Sequence, residues 1–518
     1  MIDGTGAARK RADIGIIGDR ITAIGNLHDA KSAQKIDATN QIIAPGFVDV
    51  HNHTDGWILK HSHLTAKTLQ GFTTEVLAAD GISYAPVNEQ TVRQWFFYLQ
   101  ALNALQQNEY RGWYSLHEFM SAMDGRNVQN AMTHIPYANI RSMYCGWGRG
   151  DVDDFQMQQI QDEIRRGMAE GAVGLSTGLD YIVQCYATTD ELVDACSAMA
   201  ESQGLYVTHI RYKKGVLRGL QEAVEIGRRA GVRVHISHLK ASSAPMVEEI
   251  LDFLEHARRD IDLSFDVYPY QRGSTMLNYL LPYAVWEDGP LAAIDKLKNP
   301  EIRFQFGKVF QPHQMNLENI RIAWVASKEN SVHQGKTLAH YVEEMDLPAA
   351  DALAELLIEE RLAVLCVMDK GDDSLVHPFL QHDLYMMGSD GIYHPGGLVH
   401  PRVYGSAGRL LGPCVRDWKL FSLEAAIHKL SGLPAARFGL ANRSVLHTNH
   451  YADIVVFDPV RVTDQATYAT PHLPTVGIEH VLVNGIQVIK AGTPIESLPT
   501  PLPGRFVRRN EICRKESS

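Results

Sequence analysis

The chain is 518 residues long, 45% apolar and 21% charged, the makeup of a folded globular protein with room for a large domain and an accessory one. Its 49 basic and 60 acidic side chains leave a net charge of −11, which argues against a nucleic-acid groove or an anionic membrane surface as partner. No apolar run approaches the roughly 18–20 residues of a membrane span, and the first residues lack the apolar centre of a secretory signal. The six cysteines (Cys145, Cys185, Cys196, Cys366, Cys414 and Cys513) show no CxxC spacing. A cytoplasmic protein is therefore expected, with neither a disulfide framework nor a zinc finger.

Residues 13–43 alternate short strand-like runs around a Gly18-Asp19 turn, and 451–492 repeat the pattern around Asn484-Gly485, a dipeptide suited to a two-residue hairpin. The chain ends, 1–45 and 450–518, are expected to meet in one small discontinuous β-sandwich. Between them, 46–449 alternates apolar β-type runs with helical patterns, the mark of βα units around a parallel sheet. Eight runs qualify as strands: 42–50, 73–79, 142–146, 172–176, 205–210, 233–237, 263–268 and 384–388. Their near-continuous Val, Ile, Leu and Ala content suits strands buried on both faces. Helical spacing fills the gaps at 157–171, 189–204 and 219–231, each closed by a glycine, and resumes from Ser422. The predicted fold class is α/β, a (β/α)8 TIM-like barrel. An insertion at about 275–383, carrying the strand-like runs IRIAWVA and LAVLCVM, is expected to serve as a lid.

With 23 histidines, about one HxH pair is expected by chance, and the chain has two. Context separates them. His51 and His53 end the apolar run IIAPGFVDV, and residues two apart on a strand share a face; at a barrel strand's C-terminal end both would face the mouth where active sites form. His61-Ser62-His63 precedes a helical pattern and reads as surface or local packing. Three more polar groups close predicted strands: His209 after LYVT, His238 after VRVHIS and Asp390 after LYMMGS. Each alone is commonly a satisfied structural residue. Together, on strands one, five, six and eight, they suit Zn²⁺ or a similar divalent ion with an open coordination position. His235 is expected to face the helical layer.

The stretches APGFVDVHNHTD, QGFTTEVLAADGIS, GAVGLSTGLDY, YVTHIR, ISHLK, DVYPYQRGST, GSDG, HPRVYG and YADIVVFDP follow one another from residue 44 to 459. In this order the chain resembles the amidohydrolase superfamily, and within it the N-acyl-D-amino-acid deacylases (D-aminoacylases). The resemblance implies one or two zinc ions, another divalent metal being the alternative. His51, His53 and Asp390 would hold one ion and His209 and His238 the other. Where such enzymes carry a cysteine in TTxVxGNCGIS, this chain reads TTEVLAADGIS and places Asp80 there. A carboxylate can span two metals through its two oxygens, so Asp80 is expected to bridge them; capping of the loop before Gly81 is the plainer role. Lys240, Tyr268, Ser274 and Arg402 match positions that contact the substrate, and Lys and Arg suit its carboxylate. Packing, turn and surface-pair roles would account for Tyr268, Ser274 and Arg402 as well. A second departure is Tyr212-Lys213-Lys214, where an acidic pair is usual. Such enzymes also have a β-strand before the segment resembling VIDGTG; here either the true start lies upstream or the sandwich lacks an edge strand.

The expected reaction is hydrolysis of an N-acyl amino acid, of D configuration, by metal-bound hydroxide, with Asp390 as general acid–base. The rival is hydrolysis of a cyclic amide (hydantoin or dihydropyrimidine) or a dipeptide. A non-catalytic scaffold is disfavoured because the five expected ligands His51, His53, His209, His238 and Asp390 are all present. A nucleophilic-serine enzyme is disfavoured because no GxSxG elbow occurs. A small carboxylate-bearing substrate is the expected partner, and a homo-oligomer is compatible with the sequence.

Overall fold

The computed structural model describes residues 1–310, 316–368 and 371–509; Cys513 lies outside them. Eight parallel strands carry the fold: β1 (Phe47–Asp49), β2 (Phe72–Leu77), β3 (Asn130–Thr133), β4 (Leu175–Gly178), β5 (Leu205–His209), β6 (Arg233–Ile236), β7 (Leu263–Val267) and β8 (Tyr385–Met387). One sheet runs β1-β2-β3; the other runs β4-β5-β6-β7-β8, with Ile135–Pro136 beside β4. A two-residue parallel pair, Asn52–His53 with Gly391–Ile392, joins the segments that follow β1 and β8. Single backbone bonds link the two sheets: Val173 N donates to Thr133 O at 2.9 Å and Val50 N to Met387 O at 3.4 Å.

Seven of the eight expected strands overlap an observed one. The third does not. Residues 142–146 fall at the end of the helix Tyr137–Cys145, and the strand is Asn130–Thr133 instead. Polar residues disguised it. Asn130 donates to Asp453 Oδ2 at 3.2 Å and accepts from Asn484 Nδ2 at 2.8 Å, bonds that satisfy it in a buried strand. The helix in turn carries Arg141, paired with Glu191 at 2.7 Å, and Ser142, which accepts Trp95 Nε1–H at 3.1 Å.

Alternate strand residues Val48, Val50, Val76, Met132, Val173, Leu205, Val207 and Met386 form one apolar cluster closed by Phe438. His235 belongs to this inner side and not to the helical layer. Its ring lies 5.2 Å from Phe438, and its nitrogens meet Ser264 Oγ at 2.7 Å and Asp266 Oδ2 at 3.0 Å. Two polar partners make an inward histidine affordable where the pattern alone suggests an outward one.

A strand from each part of the chain pairs in one terminal sheet. Ile42–Pro45 pairs antiparallel with Ile454–Phe457, followed outward by Ile478–Val483, Ile486–Lys490 and Thr493–Pro494 in a five-stranded sheet. Asn484 and Gly485 turn its hairpin at φ +48° and +79°, left-handed values that select these residue types. A Cβ on Gly485 would sit 2.1 Å from Gly18 O, so this turn packs on that of the hairpin Asp13–Ile17/Arg20–Gly25. Both strand-like runs of the insertion are strands: Val364–Met368 lies between Ser274–Met276 and Ile320–Val325 in an antiparallel sheet. Among the described residues no helix is long and apolar enough to cross a membrane.

Candidate metal centre

Each expected ligand stands where a strand gives way to a loop. His51 and His53 follow β1, and Asp80 follows β2 in the turn Ala79–Gly81. His209 ends β5, His238 lies two residues beyond β6, and Asp390 lies three beyond β8. Asp80, His238 and Asp390 adopt φ values of +58°, +37° and +49°. Side chains rarely accept that region, and such conformations persist where the surroundings over-determine them. For Asp80 the determinants are visible: Gln184 Nε2 donates to its carbonyl at 2.8 Å, and Gly81 is packed so closely that a Cβ would meet Thr177 Cα at 2.8 Å.

The six side chains converge. Asp80 stands at the centre, Oδ1 3.5 Å from His51 Nε2 and 3.7 Å from His238 Nε2, Oδ2 3.7 Å from His53 Nε2 and 4.0 Å from His209 Nδ1. Asp390 Oδ1 is 3.2 Å from His53 Nε2 and 3.7 Å from His51 Nε2, and His209 Nδ1 is 2.9 Å from His238 Nε2. Most of these separations are too long for good hydrogen bonds. They match donors sharing a tetrahedral zinc ion, which at bond lengths of ~2.1 Å stand about 3.4 Å apart. Two triads could hold an ion, His51/His53/Asp390 and His51/Asp80/His238. Buried His51 Nε2 and Asp80 Oδ1 lack hydrogen-bond partners, the condition expected of atoms reserved for a metal.

Charge agrees with geometry. Burial disfavours a charged His51, yet Asp266, Asp80 and Asp390 outweigh it and lift its pKa to about 10. Burial likewise opposes ionisation of Asp80 and Asp390, but His51 and its neighbours hold the first well below the usual carboxylate range, and Arg402 does so for the second. A ring so surrounded by anions calls for a cation, and these donors fit a divalent one.

Behind the ligands stand Asp266 and Asp180, which lie within the quoted motifs but carry no role there, and Tyr212, noted only as part of a departure. Asp266 Oδ2 lies 3.5 Å from His51 Nδ1, Asp180 Oδ2 3.5 Å from His209 Nε2, and Tyr212 OH 3.4 Å from His238 Nδ1. Orienting partners of this kind fix the tautomer of a metal-binding imidazole. Their signal was available: Asp180 and Asp266 follow or end strands, as the ligands do.

The four expected substrate residues also meet. Lys240 Nζ is 3.6 Å from the centre of the Tyr268 ring and Arg402 Cζ 4.4 Å. Arg402 is fully buried, its Nη1 2.8 Å from Asp390 Oδ2 but without hydrogen-bond alignment, while Nη2 donates to Ser274 O at 3.2 Å. Ser274 presents that carbonyl, its hydroxyl being committed to Cys366 O at 2.8 Å. Burial, then Arg402, pull Lys240 well below the ordinary lysine value. His63 bonds Thr68 Oγ1 at 2.7 Å and His61 stacks on Trp57, local packing as read. An open cleft of about 650 Å³ lined by Trp57, Lys60, His61 and Tyr110 shares no residue with the cage.

A buried cage of four histidines and two carboxylates at the ends of parallel strands defines a metal-dependent hydrolase. No protein-family model matches the chain. The D-aminoacylase of Alcaligenes xylosoxydans xylosoxydans is 34% identical over 496 residues, covering 94% of this chain and 92% of that one. The N-acyl-D-glutamate deacylase of the same organism is 32% identical over 520 residues, covering 98% and 95%. The crystal structure of N-acyl-D-glutamate deacylase from Bordetella bronchiseptica, with zinc and a phosphonate mimic of the tetrahedral intermediate, is similar at a TM-score of 0.83 and 31% identity over 98% of this chain and 97% of that one. The chain belongs to the D-aminoacylase family of the amidohydrolase superfamily. It is a hydrolase of C–N amide bonds with a divalent metal cofactor.

Proposed function

We propose that the protein hydrolyses N-acyl-D-amino acids to a free amino acid and a carboxylate, using two zinc ions. His51, His53 and Asp390 would hold one ion, His209 and His238 the other, and Asp80 would contribute its carboxylate to the pair. Bound there, the metal supplies Lewis acidity toward the carbonyl and an acidified water. The chain's own residues do the rest. Arg402, Lys240 and Tyr268 receive the substrate carboxylate, so that the amide is presented to the cage in one orientation. Asp390, touching both His53 and Arg402, accepts the water's proton and returns it to the leaving nitrogen.

The observation that carries this reading is Arg402. Its Nε and Nη1 are buried donors without hydrogen-bond partners, Nη1 lying 2.8 Å from the Asp390 carboxylate at the edge of the cage. Buried guanidinium donors held open beside a metal cage suit an anionic substrate. We infer further that the parallel strands form one closed (β/α)8 barrel, that the terminal sheets make a discontinuous sandwich from 1–45 and the described residues beyond 450, and that the insertion at about 275–383 acts as a lid. A cytoplasmic setting suits the five described cysteines, all free.

The test is a hydrolysis screen of N-acyl D- and L-amino acids beside hydantoins and dipeptides, with and without exhaustive chelation. Turnover of N-acyl-D-amino acids that disappears on chelation and returns with zinc is expected. Chelation-resistant turnover refutes the metal role, and preference for hydantoins refutes the substrate class.

A further inference from the structure

One buried carboxylate is shared between the insertion and the cage. Asp180, 3% exposed, follows β4 and presents Oδ2 to His209 Nε2 at 3.5 Å, a buried ring nitrogen with no hydrogen-bond partner. The same carboxylate accepts the hydroxyl of Tyr279 on Oδ2 and that of Tyr283 on Oδ1, each at 3.2 Å. Both tyrosines belong to the first turns of the insertion. Two further bonds fasten this segment: Lys213 Nζ donates to Tyr279 O at 2.7 Å, and Tyr186 OH to Tyr283 O at 2.6 Å. Lys213 also lies over both rings, 4.2 and 4.9 Å from their centres, and its backbone N–H reaches Asp180 Oδ2 at 3.0 Å. Lys213, one of the two lysines that depart from the usual acidic residues, thus has a structural use.

We propose that Asp180 is a positioning residue that couples the insertion to the metal centre, orienting His209 with one oxygen while the hydroxyls of Tyr279 and Tyr283 dock on the carboxylate. This rests on the metal-centre reading and adds a consequence. Ion binding fixes His209, which fixes Asp180, which strengthens the seat of residues 277–286. By linkage, docking of that segment strengthens ion binding by the same factor. The Asp180 carboxylate thus touches two tyrosines of the insertion on one side and a ligand histidine on the other.

Hydrogen exchange over 277–286 is followed in the full-length protein, stripped by chelator and reloaded with zinc. Zinc affinity is measured by competition with a chromogenic chelator. Zinc loading is expected to slow exchange in this segment, and Asp180→Ala to weaken zinc binding about 10–100-fold. Tyr279→Phe/Tyr283→Phe removes only two hydroxyls, leaves the six cage residues in place and serves if Asp180→Ala fails to fold. It is expected to weaken zinc binding by the factor through which zinc slows exchange in the wild type. Zinc-insensitive exchange in the wild type, or wild-type zinc affinity in the double variant, overturns the coupling and leaves the hydrolase reading standing. A protein that binds no zinc overturns both.

Discussion

Replacing Arg402 with alanine separates the two things the residue does. On the substrate side, two buried donors, Nε and Nη1, have no hydrogen-bond partner. A hydrogen bond to a charged group contributes about 1.5–3 kcal/mol, so a carboxylate engaging both would lose roughly 3–6 kcal/mol, or about 10²–10⁴-fold in kcat/KM. On the protein side, the guanidinium faces Asp390 at 2.8 Å, and removing one member of a buried pair costs about 3–5 kcal/mol of stability. The assay therefore compares each N-acyl-D-amino acid with its C-terminal carboxamide, which lacks the charge, in enzyme shown by thermal melting to be folded under assay conditions. The expected result is a large loss on the acid and a small one on the amide. Equal losses on both would refute the clamp and leave Arg402 a support for Asp390 alone.

Asp80→Asn keeps a residue tolerant of the left-handed turn while removing a charge. If Asp80 ligates, zinc affinity should fall about 10²–10³-fold, a quarter of the ~10–16 kcal/mol of a four-ligand site; unchanged stoichiometry and affinity on metal analysis would leave it a loop cap. Glu75, buried behind the cage and not among its ligands, offers a pH test. Burial, opposed by Lys67 and helped by Asp49, raises it from 4.5 to about 7. A raised folded pKa contributes stability that is complete below the unfolded value of 4.5 and lost as pH climbs through about 7. Glu75→Gln should therefore melt like wild type near pH 4 and be more stable at pH 8, by up to about 3 kcal/mol; a constant difference across that range would contradict the assignment.

How far the sequence reached follows from what each feature depends on. Hairpin turns are local chemistry, and Asn484-Gly485 reads directly as left-handed backbone. The cage was legible because its members share a position, the end of a strand, that apolar runs disclose. The strand at 130–133 was not, since Asn130 is buried through partners hundreds of residues away. His235 failed for the same reason: which face it takes is decided by Asp266 and Ser264, not by its own period. Lys67 is an extreme case. Nothing local marks a lysine for full burial, yet it pairs with Asp49, lies 3.5 Å from Glu75 and donates to Ser389 Oγ at 3.0 Å, beneath the loop that carries Asp390.

That buried group bears on how the cage holds its shape. Ser389 N donates to Asp49 Oδ1 at 2.8 Å, and Asp390 N to His51 O at 2.7 Å, so the β8 loop is tied to the β1 loop at two successive residues. Lys67 reaches both sides of the tie. Asp390 is left with its carboxylate between His53 at 3.2 Å and Arg402 at 2.8 Å, one oxygen toward each. A single side chain thus stands between the cage and Arg402, the residue proposed to receive the substrate carboxylate. Under the proposed anchoring of a substrate carboxylate by Arg402, the backbone ties beneath Asp390 hold the cage and the anchor in register.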